Sequence, residues 1–458
     1  MTEFVETAAT SPATEPVKGE AALVAPPAAG RWFVVGMLLL MYVAAYIDRA
    51  LIALMVDPIK ATLSLSEVQF SLIHGAAFGL FYALFGIPMG FLADKLSKRW
   101  LLFTGITIWS VAASACGLAR NFASLALARF GVGAGEATLV PIAYATISGT
   151  FPKSKVASAI AIFSTGSMIG TALALSLGGF MLAFATRLGG ATLPVVGHLE
   201  PWQLVLLLSG APGLVLSLFS FLLPEVRGEA SKRASSSAGE FWRYLAAHKA
   251  YLFLSIGGLS CTAIMAYGAA AWTPAFLMRR YGMPVESVGA GLGFMTLCGI
   301  GGLLSAGAIA DALYKSGRRD AHFLTPFAVT PLVPVVGAYA YTLASGPMIA
   351  ITLLALVHLL QIMPNTVASH LQITTAPALR GRVAALTVSV QHMAGLTLGP
   401  TLVAAITQGI FHDPSKVGLS LAIVTVVLGS LATLMYGLAR GPARLAAQQA
   451  EDGAPRPG

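Results

Sequence analysis

Twelve apolar stretches run through this chain, and they constrain its fold more than any other feature of the sequence. Each stretch has roughly twenty residues, about enough to cross a ~30 Å hydrocarbon layer as a helix. Hydrophobic residues make up 56% of the chain and charged residues only 10%. A typical soluble domain has about 25% charged residues, so this chain cannot cover a globular surface with polar groups. The sequence predicts an all-α membrane protein.

The apolar stretches fall into two groups of six. A polar, basic and Ser-rich segment, residues 224–249, separates the groups and has a short amphipathic part at Phe241–Leu245, which we expect to lie on the membrane surface. The predicted spans are 32–56, 68–92, 100–119, 124–147, 157–184, 202–223, 250–276, 286–311, 322–343, 347–368, 383–409 and 417–438. The predicted organisation is a disordered tail 1–30, a bundle 31–223, the linker 224–249, a bundle 250–440 and a tail 441–458.

The distribution of basic residues predicts the orientation in the membrane. Of the 28 Lys and Arg residues, 20 lie in the two tails and the even-numbered loops, and six lie in the odd-numbered loops. This is the positive-inside pattern, so we expect both termini in the cytoplasm and the chain in the cell inner membrane as a multi-pass protein. The net charge of +9 is spread over loops instead of being clustered on one soluble face or arm, which argues against a nucleic-acid partner.

The two groups of spans carry related loops. After the second span the sequence reads Gly90-Phe-Leu-Ala-Asp94, and after the eighth it reads Gly307-Ala-Ile-Ala-Asp311, close to half the chain later. A basic cluster follows each of them. A repeat at matching places predicts two pseudo-symmetric six-helix bundles with a substrate site between them. Positive-inside charge and a packing glycine would explain the bases but not the repeated aspartate.

The first of these loops resembles the loop motif of the major facilitator superfamily, G-x-L-A-D-x-x-G-R-[KR]. The match includes Gly90, Asp94 and Arg99, and the chain departs from the motif at Ser97, where the family usually has glycine. The resemblance implies the major facilitator fold and a gating role on the cytoplasmic side for Asp94 and Arg99, with Asp311 as the counterpart in the second half.

Four ionisable residues lie inside predicted spans: Asp48 and Arg49 in the first, Arg129 and Glu136 in the fourth. Unpaired charges in a membrane are costly, so each one is a functional candidate. Neighbours on a helix point about 100° apart, which prevents Asp48 and Arg49 from satisfying each other. We expect Arg49 to pair with Glu136 and Asp48 to remain able to gain or lose a proton. A static buried cluster that only fixes helix packing is the alternative.

These residues narrow the resemblance to the spinster branch of the superfamily. The matching segments are Tyr46-Ile-Asp-Arg49, Gly75 to Tyr82, Gly86 to Gly90, Arg129 to Ala137, Phe151-Pro152, Trp272 to Arg279 and Gly399-Pro400. The resemblance implies lipid transport with the Asp-Arg pair and the Glu as its polar core. We therefore expect proton coupling at Asp48, Arg49 and Glu136. The charges of the four ionisable residues in the spans sum to zero, which suits a zwitterionic head group with an arginine near its phosphate and a carboxylate near its amine, so we expect substrate contact at Arg49, Arg129 and Glu136.

Further candidate substrate-binding residues lie in other spans. His392 precedes Gly399-Pro400 as in spinster segments, although Leu396 replaces an acidic residue that is common there. Gln361 and Asn365 are four residues apart on one helix face, which suits either a cavity wall or hydrogen bonds between helices. Tyr82 belongs to an aromatic stripe of the second span that could contact an acyl chain, other helices or lipid.

The leading functional hypothesis is alternating-access transport of an amphiphilic lipid such as a lysophospholipid or a sphingoid-type molecule, driven by protons. The alternative is proton-coupled symport of a small organic anion such as a sugar acid, since relatives for those substrates share the charged pattern. An enzyme is not expected, because the chain has no G-x-S-x-G, H-E-x-x-H or phosphate-loop motif. The three cysteines have no ligand-like spacing, so we expect no metal and no cofactor. We expect a monomer surrounded by membrane lipids.

Overall fold

The computed structural model describes residues 28–194, 196–224, 238–376 and 379–452 of the chain. Twelve helices in this part are long and apolar enough to cross a membrane. Most ends of these helices lie within one or two helical turns of the ends of the predicted spans. Their bounds are Gly30–Leu63, Glu67–Gly86, Lys98–Cys116, Phe122–Thr150, Ser158–Arg187, Pro201–Leu222, Lys249–Tyr281, Val285–Lys315, Ala321–Thr342, Pro347–Thr374, Arg380–Phe411 and Pro414–Ala450.

The helix pairs of the first six spans recur in the last six. The first span packs on the fifth and sixth, the second on the fourth, and the third on the sixth. In the second half the seventh packs on the eleventh and twelfth, the eighth on the tenth, and the ninth on the twelfth. These are the same pairs shifted by six, so the chain forms two pseudo-symmetric six-helix bundles.

The bundles meet mainly where the fifth span packs on the eighth and the second on the eleventh, and the first span also contacts the seventh. The fifth and eighth spans are close because of facing glycines: a Cβ on Gly289 would collide with the carbonyl oxygen of Leu175, and one on Gly179 with the backbone of Val285 and Glu286. Small residues let helix backbones approach in this way when lipid offers no hydrophobic driving force.

Because consecutive spans run in opposite directions, the loops lie at two ends of the molecule. The even-loop end holds the loops that follow even-numbered spans and both ends of the described chain. The odd-loop end holds the loops that follow odd-numbered spans. There, a small hairpin of β1 (Ala191–Leu193) and β2 (Gly197–Leu199) pairs antiparallel between the fifth and sixth spans.

A short helix, Ala238–Ala247, precedes the seventh span at the predicted amphipathic segment. Phe241, Tyr244 and Leu245 pack against the core of the second bundle, and the Tyr244 hydroxyl lies 3.0 Å from Thr375 Oγ1. The neighbouring Trp242 is 66% exposed, and its ring centroid lies 5.9 Å from that of Phe241. One side of this helix therefore docks on protein, and its contact with the membrane surface stays a prediction.

The last helix continues through Asp452, beyond residue 440, where the second bundle was expected to end. Asp320, at the start of the ninth span, is 1% exposed and accepts hydrogen bonds of 2.9 Å from Arg440 Nε and Arg444 Nη2. These ion pairs hold the extended helix against the even-loop end of its bundle. The first part of the predicted tail, residues 441–452, is therefore helical, and residues 453–458 lie outside the described chain.

We predict that Asp320→Asn lowers the apparent Tm of the purified protein in detergent. Arg440 and Arg444 lose their charged acceptor, and such hydrogen bonds contribute about 1–3 kcal/mol. The exposed Asp311, in the same region, is the matched control: Asp311→Asn should leave the Tm unchanged. Equal Tm values for the wild type and Asp320→Asn would contradict the anchoring role.

The same contact has an expected pH dependence. Burial alone would raise the pKa of Asp320, but the hydrogen bonds from Arg444 and Arg440 outweigh it and hold the pKa below its usual range. The contribution of the contact to stability is therefore complete above a pH of about 4, the usual pKa of an aspartate. It is lost as the pH falls through the lower pKa of the folded protein.

Candidate functional site

The first and fourth spans bring a buried ion pair to the middle of the first bundle. Arg49 donates to Glu136 Oε2 from Nε at 3.2 Å and from Nη2 at 2.5 Å, and the two side chains are 12% and 1% exposed. The rings of Tyr46, Phe78 and Tyr82 lie 4.4–5.1 Å from the guanidinium carbon. The pairing expected from the sequence is present, and the aromatic rings add cation–π contacts.

Asp48 points away from Arg49, into the interior of the first bundle. It is 5% exposed and lies near Ser209 of the sixth span, whose hydroxyl donates to Leu206 O at 2.9 Å. Its Oδ1 atom has no hydrogen-bond partner within the described chain. The two neighbours thus face different surroundings, as the 100° helical rotation requires. Asp48 is a buried carboxylate with unused hydrogen-bonding capacity.

Arg129 is the second buried cation of this bundle. It is 2% exposed, and its Nε and Nη2 atoms have no hydrogen-bond partner among the described residues. Its guanidinium carbon lies 5.2 Å from the ring centroid of Phe78, which therefore separates it from Arg49. Phe78 is fully buried between the two arginines.

A central cavity of about 400 Å³ lies between the two bundles. Among the described residues that line it, Arg49 alone carries a permanent charge. Arg129 and Glu136 are not part of its lining in the described chain, and substrate contact by these two residues stays a prediction. They lie behind the wall because the face of the fourth span that carries them packs against the first and second spans. Both act on the cavity through Arg49 and the surrounding rings.

Polar side chains of the second bundle form the opposite wall of the central cavity. Gln361 lines it and donates from Nε2 to the carbonyl of Thr262 on the seventh span at 3.2 Å. Asn365 also lines it and donates to Ile362 O at 2.9 Å. Both roles left open by the sequence, cavity wall and hydrogen bonding, therefore apply to Gln361. His392 lines the cavity too, beside the ring of Tyr267 at 6.3 Å.

Some cavity residues were not predicted from the sequence. Tyr46 lies three residues before Arg49 on the same helix face, and this spacing could have identified it. Tyr267 also lines the cavity, but its sequence surroundings carry no specific signal. His74 and His358, which are histidines inside predicted spans and thus weak candidates from the sequence, line the cavity as well. The histidine of the tenth span that bonds the Tyr251 hydroxyl, His370, is fully buried and structural.

A second, apolar cavity of about 460 Å³ lies between the second and eleventh spans, and we call it the cleft. The two helices are closest at Gly75, where a Cβ would meet the Leu396 carbonyl, and they diverge toward the even-loop end. Charged residues are absent from the residues that line the cleft in the described chain. Its uncharged lining is Gly79, Tyr82, Ala83, Gly86, Ala137, Val140, Pro141, Ala385, Val388, Ser389, His392, Met393 and Leu396.

The cleft and the central cavity share a wall. His392 and Leu396 line both of them. Val388 and Met393, on the outer side of the cleft, are each 49% exposed, so the cleft reaches the surface of the protein. A small ionic or polar group near Arg49 and an apolar chain in the cleft could therefore belong to one molecule.

The predicted gating residues differ in their surroundings. Arg99 donates from Nε to the carbonyl of Leu223 at 2.6 Å, a contact within the first bundle. The side chain of Asp94 is not among those that the structure describes. Asp311 is exposed, and Asp320 is the acidic residue that binds two arginines in this part of the second bundle. Asp320 was not predicted from the sequence because it lies outside the repeated motif.

Comparisons with curated proteins give relatives of two kinds. An MFS-type efflux pump of Mycolicibacterium smegmatis is 27% identical over 418 residues, which is 89% of this chain and 92% of that protein. The hexuronate transporter of Bacillus subtilis is 25% identical over 62% of this chain and 66% of its own length. The probable L-galactonate transporter of Escherichia coli is 27% identical over 61% and 62%.

Solved structures share the fold. A bacterial homolog of the human lysosomal transporter Spinster, in an inward-facing and unoccupied conformation, superposes with a TM-score of 0.74 at 22% identity and covers 94% of this chain and 100% of that one. The nucleoside transporter NupG gives 0.65 at 15% identity over 88% and 99%. The family model of the Major Facilitator Superfamily matches residues 38–400. Twelve spans in two six-helix bundles, a cavity between them and this match together establish that the chain belongs to the Major Facilitator Superfamily.

Proposed function

We propose that this chain is a secondary active transporter that moves an amphiphilic lipid of the lysophospholipid or sphingoid type by alternating access. The observation that carries the proposal is the shared wall of the central cavity and the cleft. One compartment offers a cation and hydrogen-bonding groups, and the other has a mostly apolar lining without charged residues in the part of the chain that the structure describes. This division matches a molecule with a polar head and an aliphatic chain.

The head group binds at Arg49 in this proposal. A guanidinium has five N–H donors, and Glu136 takes two of them. The others suit a phosphate or carboxylate oxygen, for which arginine is well shaped. Since Glu136 neutralises most of the charge, a zwitterionic head group fits as well as an anionic one. Gln361, Asn365 and His392 supply polar contacts from the second bundle.

Coupling and orientation complete the proposal. Asp48 carries the transported proton, because it is a buried carboxylate with an unpaired oxygen next to the ion pair. Asp94 and Arg99 gate the even-loop end, which faces the cytoplasm according to the distribution of basic residues. The chain works as a monomer in the cell inner membrane, without a cofactor and without enzymatic activity.

The second candidate function is symport of a sugar acid. Relatives of this chain are named hexuronate and L-galactonate transporters, and the second-bundle wall of the central cavity carries His358, Gln361 and Asn365. A polyhydroxylated acid would use Arg49 for its carboxylate and these side chains for its hydroxyls. It would leave the cleft unused.

Uptake into proteoliposomes distinguishes the two candidates. Radiolabelled lysophosphatidylcholine, sphingosine phosphate and galacturonate would each be tested with and without a pH gradient. Saturable uptake of a lipid that galacturonate does not compete with supports the proposal. Saturable uptake of galacturonate alone would replace it with the second candidate.

We predict that Gly86→Leu weakens binding of a long-chain lysolipid by about tenfold or more. Gly86 lines the cleft, and a Cβ there meets no atom within 4 Å, so the new side chain enters the cleft without a clash. Each methylene excluded from an apolar site costs about 0.8 kcal/mol. Gly36→Leu is the matched control, because Gly36 also has open space at Cβ but lines neither cavity. Equal weakening in both variants, or none in Gly86→Leu, would contradict tail binding in the cleft.

A further inference from the structure

At the odd-loop end, one arginine of the second bundle binds two carboxylates of the first. Arg279, at the end of the seventh span, donates from Nη2 to Asp57 Oδ1 at 2.5 Å and from Nε to both oxygens of Asp57 at 3.1 and 3.2 Å. Its Nη2 also lies 3.0 Å from Glu67 Oε1. Its Nη1 donates to the carbonyl of Pro414 at 3.0 Å. The arginine thus ties the first two spans to the second bundle.

Glu67 has a second cation within its own bundle. Lys60 Nζ lies 2.5 Å from Glu67 Oε1, the same oxygen that Arg279 contacts. The Glu67 side chain is 5% exposed, that of Lys60 16% and that of Arg279 11%, whereas Asp57 is 43% exposed. The other Glu67 oxygen, Oε2, has no hydrogen-bond partner among the described residues. Glu67 is therefore a buried carboxylate that is shared between two cations from different bundles.

The network lies on the seam that must separate if the odd-loop end opens. About two turns before Arg279 on the same helix, Trp272 contacts Phe70 edge to face, with ring centroids 5.9 Å apart. The Arg279 guanidinium lies 5.7 Å from the Trp272 ring. Nearby, the Val68 amide of the first bundle donates to Gln408 Oε1 of the second at 3.2 Å. Opening this end requires Arg279 to leave Asp57 and Glu67.

We propose that Glu67 is shared by Lys60 and Arg279 in the closed state and is bound by Lys60 alone in the open state, and that this exchange of partners sets the balance between the closed and open states of the odd-loop end. A carboxylate that loses its only partner in a poorly hydrated site is strongly destabilised. Lys60 belongs to the same bundle as Glu67 and moves with it, so it remains bound when Arg279 departs. Lys60 therefore lowers the cost of opening, while Arg279 stabilises closure.

The two cations consequently have opposite effects on the conformational equilibrium. Without Arg279, the closed state loses its bonds to Asp57 and Glu67, while the open state loses little. Without Lys60, the closed state still has Arg279 on Glu67, whereas the open state holds a carboxylate with no cation. A change shifts an equilibrium only by its differential effect on the two states. If the charged network only stabilised the closed state, removal of Lys60 and removal of Arg279 would shift the equilibrium in the same direction.

The test measures the distance between spin labels placed on the two bundles at the odd-loop end, in nanodiscs and without substrate. Arg279→Met should raise the open-to-closed ratio by about tenfold or more, and Lys60→Met should lower it by a similar factor. Arg280→Met is the matched control for the arginine, because Arg280 donates to Thr342 O within its own bundle. It should leave the ratio unchanged, and Arg279→Lys should restore part of the closed state.

The inference rests on alternating access but not on the identity of the substrate. Shifts in the same direction for Lys60→Met and Arg279→Met, no shift in either, or an equal shift in Arg280→Met would overturn the exchange. A different result would count against alternating access itself. In that case the wild-type protein would show one distance distribution at every pH and with every tested substrate, and the Arg279→Met variant would show no opening. The readout requires no transport, so a wrong substrate class leaves it unaffected.

Discussion

Replacing Glu136 by Gln is expected to reduce the initial rate of transport by about 100-fold or more while the protein still inserts and folds. Glu136 is 1% exposed on its side chain and accepts both hydrogen bonds that Arg49 makes across the bundle. A glutamine preserves the shape and one acceptor oxygen but removes the negative charge. Arg49 then carries an uncompensated charge beside the central cavity, a situation that costs about 3–5 kcal/mol in buried pairs.

The consequence for transport follows from the position of Arg49 in the cavity wall. With Glu136 present, the guanidinium is held in place and nearly neutralised, so a substrate anion can bind and leave. Without Glu136, the free cation holds an anion too tightly or turns toward another partner. The expected signature is a large fall in the transport rate with binding of the head group unchanged or tighter.

Glu286→Gln is the matched control for this prediction. Glu286 lies at the start of the eighth span, 28% exposed, and its partner Arg187 is 3.8 Å away and 78% exposed. Exposed pairs of this kind contribute at most about 1 kcal/mol. Transport by Glu286→Gln should be close to wild type. A Glu136→Gln variant with wild-type flux in proteoliposomes would show that the buried pair only fixes helix packing.

Asp48→Asn is expected to abolish the pH dependence of transport. Asp48 is 5% exposed, with one oxygen unpaired and with buried charges of both signs, Glu136 and Arg129, acting on it. Water that reaches the carboxylate in one state and not in the other would change its proton affinity between the states. Such a difference is what proton coupling requires. An asparagine side chain does not bind and release a proton, so transport is no longer coupled to protons, while head-group binding at Arg49 remains.

The measurement is uptake at a series of pH values across about three units around neutrality, together with counterflow at equal pH on both sides. We expect counterflow to persist in Asp48→Asn and gradient-driven accumulation to vanish. Asp413→Asn, a change at a partly exposed helix cap in the loop between the last two spans, is the control and should retain both activities. If Asp48→Asn keeps the wild-type rate and pH profile, Asp48 is structural, and His392 is the next candidate for the coupling group.

The sequence by itself determined the number of spans, their positions and the division into two halves. A helix in lipid must satisfy its backbone internally and present about twenty apolar residues, so hydropathy identifies it without knowledge of its neighbours. The same reasoning found the Arg49–Glu136 pair. Few carboxylates lie inside membrane spans, so an arginine there has few possible partners. Asp48 was excluded as the partner of Arg49 because it points to another side of the same helix.

Only the tertiary structure decided which charged side chains reach the cavity. Arg49 and Arg129 both lie in apolar spans, so hydropathy does not distinguish them. In the structure, Arg49 lines the central cavity and Arg129 lies behind Phe78. The cleft was also invisible in the sequence, because it depends on where the second and eleventh spans diverge beyond Gly75. The angle between two helices is a property of both surfaces in contact, which no single span records.

The network at the odd-loop end shows the same limit for loops. Asp57, Glu67 and Arg279 lie in segments that the sequence treats as short polar connections, and Arg279 was recognised only as part of a spinster-like segment. Hydropathy assigns such residues to water, where charged pairs are weak. Packing of the two bundles instead buries Glu67 between Lys60 and Arg279, and long-range contact across the seam is what gives these charges a specific partner.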